Sequence, residues 1–166
     1  MPVDAELTFA DHAGRLYARR YGFAPMTGRL LGYLAICDPP EQTIAELADA
    51  LLASRSAITG AVKALEQLHL LRRSRAAGER MDRVRIDLVS TEAAGFDVSE
   101  YAEQADLARE GLKVLEDAPL QRRATLLWWA AFADFLVEKL PDLEKEWIAR
   151  REALVAAGTL PGASRR

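Results

Sequence analysis

Two helix-start signals stand close together in residues 43–54, and they limit what the chain can fold into more than any other feature. Thr43-Ile44-Ala45-Glu46 is a capping-box pattern: the Thr43 hydroxyl can accept from the Glu46 amide while the Glu46 carboxylate reaches back to the Thr43 amide. The helix begun there runs to about Leu52, and Ser54 offers a second N-cap after a connection of only two or three residues. Ile58, Val62 and Leu65 then recur at i, i+4 and i+7 along a helix ending near His69. Two short helices joined by so tight a turn form a helix-turn-helix.

The period changes after His69. Residues 70–75, LLRRSR, read as a short strand, 76–79 as a turn and 81–89 as a second strand. In the second strand Val84, Ile86 and Leu88 alternate with Arg83, Arg85 and Asp87, so one face is apolar and the other carries arginine. A helix-turn-helix followed at once by a basic β-hairpin is a winged helix.

The flanks read as helix. Residues 4–21 place Phe9, Ala13, Leu16 and Tyr17 on one face, with Gly22 as a C-terminal stop. Residues 25–37 follow and end at Pro39-Pro40; within them Gly28 and Gly32, four apart, would let another helix approach closely. Helix returns from Thr91 to about Ala118, from Leu120 to Leu140 and from Asp142 to about Ala157. The expected organisation is an N-terminal helix (1–24), a winged helix-turn-helix domain (25–90), C-terminal helices (91–157) and a disordered tail (158–166). Ala and Leu dominate the composition, which favours helix, so the fold class is mainly α with a small β-hairpin wing.

Charge is divided unevenly. Residues 55–85 hold eight basic and three acidic side chains, a net of +5, whereas the remaining chain carries −8. That split suits a partner with a dense negative lattice, which double-stranded DNA supplies. If Ile58, Val62 and Leu65 face the core, the opposite face presents Arg55, Ser56, Thr59 and Lys63, with Ser54 at the cap. In helix-turn-helix proteins that N-terminal end enters the major groove. Arg55 can bond guanine O6 and N7 in a bidentate manner, Ser56 and Thr59 can meet bases or phosphates, and Lys63 lies where phosphate is expected. Arg73, Arg75, Arg80, Arg83 and Arg85 belong to the wing and would reach an adjacent minor groove or its phosphates.

Other chemistry finds little footing. His12 and His69 are 57 positions apart with no cluster near either, so no metal site is expected. No glycine-rich phosphate loop, nucleophile elbow or paired-carboxylate context appears, so neither an enzyme nor a cofactor is expected. A winged helix can instead serve as a protein-interaction module, and the wing arginines do not exclude that use. Trp128 and Trp129 are candidates for an effector pocket, as an aromatic cage for a quaternary ammonium group, although such a pair is more often dimer core. Cys37 admits a redox role or the commoner one of a small buried hydrophobe. Residues 124–137, ATLLWWAAFADFLV, are too few to span a bilayer and contain Asp134. The start, MPVDAELTFADHAG, has no apolar h-region and the single cysteine permits no internal disulfide, so a cytoplasmic protein without a membrane partner is expected.

LAICDPPEQTIAELADALLASRSAITGAVKALEQLHLLRR resembles the winged-helix core of MarR-type regulators, and the lead-in GRLLGYLAICDPPEQT is similar to their GbsR-like branch. AGERMDRVRIDLVSTEAAG is similar to the MarR-type wing, in which an Asp-Arg pair precedes the second strand. By that resemblance the pair is Asp82-Arg83, the carboxylate orienting a guanidinium that enters the minor groove. Many members carry a second arginine directly after it; here that position is Val84, with Arg85 and Arg80 nearest to take its place. The likeness covers about residues 28–95. It implies a homodimeric DNA-binding regulator whose first and last helices form the dimer interface, and in some relatives a small ligand is held between the dimerisation and DNA-binding parts.

Overall fold

Small residues let the first two helices meet. In the computed structural model, which describes residues 4–75, 78, 81–88 and 95–161, helix α1 (Asp4–Tyr21) packs on helix α2 (Pro25–Leu34). Ala10, Ala13 and Gly14 of α1 lie against Gly28 and Gly32 of α2, so the spacing of those two glycines serves a close helix contact. Gly14 has the same function and went unnoticed in the sequence: a Cβ there would meet the Pro25 carbonyl oxygen at 3.1 Å. Gly22 ends α1 at φ 70°, the left-handed conformation that glycine tolerates. Arg29 reinforces the pair, donating from Nε to Asp11 of α1 and from Nη1 to the Leu51 carbonyl.

The helix-turn-helix and the wing complete this first unit, Met1–Ala93. Helix α3 (Ile44–Ala50) starts at the capping box read from the sequence, with both reciprocal bonds present. Helix α4 (Arg55–Gln67) starts at Ser54, whose Oγ accepts from the Ala57 amide at 3.1 Å. Both helices end in Schellman turns, closed by the Ala53 amide on the Ala48 carbonyl and the Leu70 amide on the Leu65 carbonyl, each at 2.9 Å. The left-handed positions in these turns hold Leu52 and His69, at φ 52° and 56°, where glycine is the usual occupant.

Three short strands form an antiparallel sheet in the order β1-β3-β2, with β1 Gln42–Thr43, β2 Leu71–Ser74 and β3 Arg83–Ile86. Strand β1 has no periodic signature because it is two residues long. It places Thr43 opposite Arg83 and so brings the root of the wing against the start of α3. Beneath lies one core in which Leu30, Leu31, Leu47, Leu51, Ile58, Val62, Leu65 and Val84 are fully buried.

The second unit, Ala94–Arg166, is a helical hairpin of α5 (Ser99–Val114) and α6 (Leu120–Ala156). Ala105 and Ala108 are buried on α5, as are Ala130 and Ala133 on α6, and Leu126 fills the space over Gly111. The expected helix start at Thr91 lies outside the described residues; the described helix begins at Ser99, whose amide and hydroxyl donate to Asp97. The break expected at Pro141 is absent. Residues 120–156 form one 37-residue helix, because proline removes a single N–H donor and leaves the ladder intact on either side. Residues 158–160, expected to be disordered, cap this helix: the Gly158 amide donates to the Val155 carbonyl and the Thr159 amide to the Leu154 carbonyl. The rest of the expected tail, 162–166, lies outside the described residues.

A glycine-to-alanine change inside a helix ordinarily stabilises, by about 0.5–1 kcal/mol. At Gly32 the added Cβ would overlap that of Ala13, so Gly32→Ala is expected to lower stability by about 1–3 kcal/mol. Thermal unfolding followed by circular dichroism measures this, and an unchanged or raised midpoint would show that α1 and α2 do not need the contact.

Candidate nucleic-acid interface

The roll of α4 follows from its apolar residues. Ile58, Ala61, Val62 and Leu65 are buried, and the opposite face leaves Arg55, Ser56, Thr59, Gly60 and Lys63 exposed. The structure therefore brings together the four reading residues expected from the sequence. Among the described residues no carboxylate pairs with Arg55 or Lys63. Ser54 is occupied with capping and lies 3.0 Å, oxygen to oxygen, from the Ser56 hydroxyl. The Thr59 hydroxyl donates to the Arg55 carbonyl at 2.8 Å, which leaves its oxygen able to accept.

The wing arginines among the described residues are all engaged. Arg73 makes a two-pronged contact with Glu66 near the end of α4, donating from Nη2 at 2.9 Å, and Arg75 donates to Asp82 at 2.7 Å. The Glu66 carboxylate raises the Arg73 pKa, and the Arg75 bond holds the Asp82 carboxyl below its usual range. Arg72 and Arg85 face each other across β2 and β3; Asp87 holds the first, and Glu41 lies 3.7 Å from the second. Two like charges directly opposite would destabilise the hairpin, and the flanking carboxylates offset that repulsion.

Arg83 departs from the expected arrangement. Asp82 accepts from Arg75, while the Arg83 guanidinium donates to Glu46 at 3.2 Å and to the Glu41 carbonyl at 3.3 Å. Adjacent residues of a strand point to opposite faces, so the chain neighbours Asp82 and Arg83 are poorly placed to pair. Arg80 lies outside the described residues. Glu41, Glu46 and Glu66 were missed as partners. Glu46 was visible only as a helix cap, and the role of Glu41 depends on a strand too short to leave a signature.

The two tryptophans do not converge. Trp128 is 78% exposed, whereas Trp129 is partly buried and donates from Nε1 to Gln104 at 3.3 Å. Consecutive helix residues diverge by about 100°, so these two rings cannot close on one ligand as a cage. A cavity of about 380 Å³ lies instead in the first unit, lined by Phe9, His12, Leu16, Tyr17, Ile86 and Leu88 among others. Cys37 is buried, donates from Sγ to the Leu34 carbonyl, and has its pKa raised by that burial.

Family models match in two places: residues 21–80 fit the MarR family, and residues 93–152 fit an MmpR5-like MarR family transcriptional regulator. The HTH-type transcriptional regulator MmpR5 of Mycobacterium tuberculosis (strain ATCC 25618 / H37Rv) is 36% identical over 121 residues, covering 72% of this chain and 73% of the relative. The chain belongs to the MarR family of transcriptional regulators. A crystal structure described as a transcriptional regulator superposes with a TM-score of 0.80 at 30% identity, covering 87% of this chain and 99% of that one. The fold is thus that of a winged-helix, DNA-binding MarR regulator, and its relatives are regulators rather than enzymes. Among the described residues no helix is long and apolar enough to cross a membrane.

In this MarR regulator the Thr43 amide holds the Glu46 carboxyl below its ordinary value of 4.5, with the Thr43 hydroxyl and Arg83 adding to the effect and partial burial opposing it. A carboxyl lowered on folding stabilises fully above its unfolded value, and the gain disappears as pH falls through the lowered one. The stability difference between the parent and Glu46→Gln is therefore expected to be full at neutral pH and to shrink below about pH 4.5. Denaturant titrations at several pH values check this; a difference independent of pH would remove the charge from the account.

Proposed function

We propose that this MarR regulator reads duplex DNA sequence-specifically as a homodimer, with α4 of each protomer in successive major grooves about one helical turn apart. The observation that carries the reading is the exposed face of α4, where Arg55, Ser56 and Thr59 cluster at the N-terminal end with no competing carboxylate among the described residues. Arg55 supplies the base contact and Lys63 a phosphate contact. Arg73, Arg75 and Arg85 bring positive charge to the flanking backbone, exchanging surface carboxylates for phosphates at small cost, since such surface pairs contribute about 0–1 kcal/mol, and Arg80 adds a further positive charge to the same hairpin.

Dimerisation is supported by apolar surface on both units. Trp128, Phe132 and Phe135 recur at i, i+4 and i+7 on α6 and are exposed, and α1 exposes Phe9 and Leu16. We infer repressor-like action in the cytoplasm. The lead-in 28–43 supports a place near the GbsR-like branch. An effector, where one acts, would be a small apolar molecule, because the cavity between α1, α2 and β3 has mostly apolar walls.

The test begins with duplexes selected from a random pool. Arg55→Ala is expected to weaken the selected duplex by about 10- to 100-fold and random duplex far less, whereas Lys63→Ala weakens both about equally. Equal losses for Arg55→Ala would remove its base-reading role. A parent protein that retains no duplex would make the fold a protein-interaction module.

A further inference from the structure

The two glutamates flanking β1 gather the root of the wing. Among the described residues Arg83 is the least exposed of the ion-paired wing arginines, at 29% of its side chain, and it donates to both the Glu46 carboxylate and the Glu41 carbonyl. Glu46 is itself fixed, accepting from the Thr43 amide at 2.7 Å while its own amide donates to the Thr43 hydroxyl. Glu41 reaches the other wing strand, accepting from the Ser74 hydroxyl at 2.9 Å, and its second carboxylate oxygen stands 3.7 Å from Arg85. These bonds join residues 33 to 42 positions apart in the chain, so they connect the start of α3 to both strands of the hairpin. Carboxylates on a surface that meets phosphate repel it, and a purely electrostatic reading would have them weaken every complex.

We propose that Glu46 and Glu41 are positioning residues for DNA recognition. They clasp Arg83 so that it braces the wing against the helix-turn-helix, and Arg83 is a strut rather than the groove contact of the wing. This rests on the duplex-reading function proposed above. The register supports it, because Arg83 lies directly opposite Thr43, the N-cap whose box Glu46 closes. Arg75 differs: its side chain is 58% exposed and its partner Asp82 belongs to the same hairpin, so it can turn to phosphate without releasing α3.

A double-mutant cycle on the full chain tests the clasp. Glu46→Gln keeps the capping-box geometry, since glutamine also serves at that position, and removes the charge that faces Arg83 and the Thr43 amide. Glu46→Gln, Arg83→Gln and the double variant are compared on selected and random duplexes over a salt series, with thermal unfolding as a check on folding. Each single variant is expected to reduce the ratio of selected to random affinity by roughly three- to thirtyfold, and the double variant to lose no more than the worse single. The salt dependence of Arg83→Gln should match the parent's. Multiplying losses, together with a salt slope lowered by about one in Arg83→Gln, would make Arg83 a phosphate contact and overturn the clasp. Tighter selected binding by Glu46→Gln, or no change at all, would overturn it too. If either variant unfolds, Arg83→Met, which keeps the aliphatic stem and removes the donor to Glu46 and to the Glu41 carbonyl, takes its place, with the same fall in ratio expected. If the parent retains no duplex, the DNA reading fails separately, and amide exchange in the free protein decides the clasp. Exchange at residues 83–86 should then quicken equally in both single variants and no further in the double, and unchanged exchange would contradict it.

Discussion

Everything on the proposed DNA-facing side depends on how α4 is seated. Burying Ile58, Val62 and Leu65 completely fixes the rotation of the helix about its axis. At about 1.5–3 kcal/mol for each such side chain, no surface interaction competes with that seat. A helix turned by one residue would expose one of these groups and press a charged neighbour into the core. Arg55, Thr59 and Lys63 face outward as a consequence. The Ser54 cap and the Schellman turn at His69 set where that face begins and ends.

The wing obeys a different rule. Its strands are four residues each and bury little besides Val84 and Leu71, so packing alone does not determine its attitude. Charge supplies the rest. The net +5 of residues 55–85 is not a field of unattached cations, because Glu41, Glu46, Glu66, Asp82 and Asp87 each hold at least one arginine. Among the described residues the positive charge without a carboxylate partner belongs to α4, the proposed reading helix, and the paired charge belongs to the wing, where shape must be held.

Much of this was legible in the sequence wherever the signal is local. The capping box at Thr43 and Glu46, the cap at Ser54 and the i, i+4, i+7 series from Ile58 each express a physical requirement within a dozen residues, and all three appear as expected. What was not legible is long-range. Strand β1 exists only because β3 lies beside it, and with it come the partners of Arg83, which the resemblance to the MarR-type wing assigned to Asp82. Pro141 gave a stop signal that a long helix overrides. Trp128 and Trp129, adjacent in the chain, diverge around the helix.

The central claim is that an outward row of cations on α4, backed by the wing, meets the phosphate lattice of a duplex. The salt dependence of duplex binding tests it most directly. Each phosphate neutralised contributes a slope of about −0.9 to log affinity against log salt, and a dimer presenting Arg55, Lys63 and the wing should give a magnitude of about four or more. A slope near zero between about 50 and 300 mM salt would contradict the claim, because contacts to the backbone cannot form without releasing counterions.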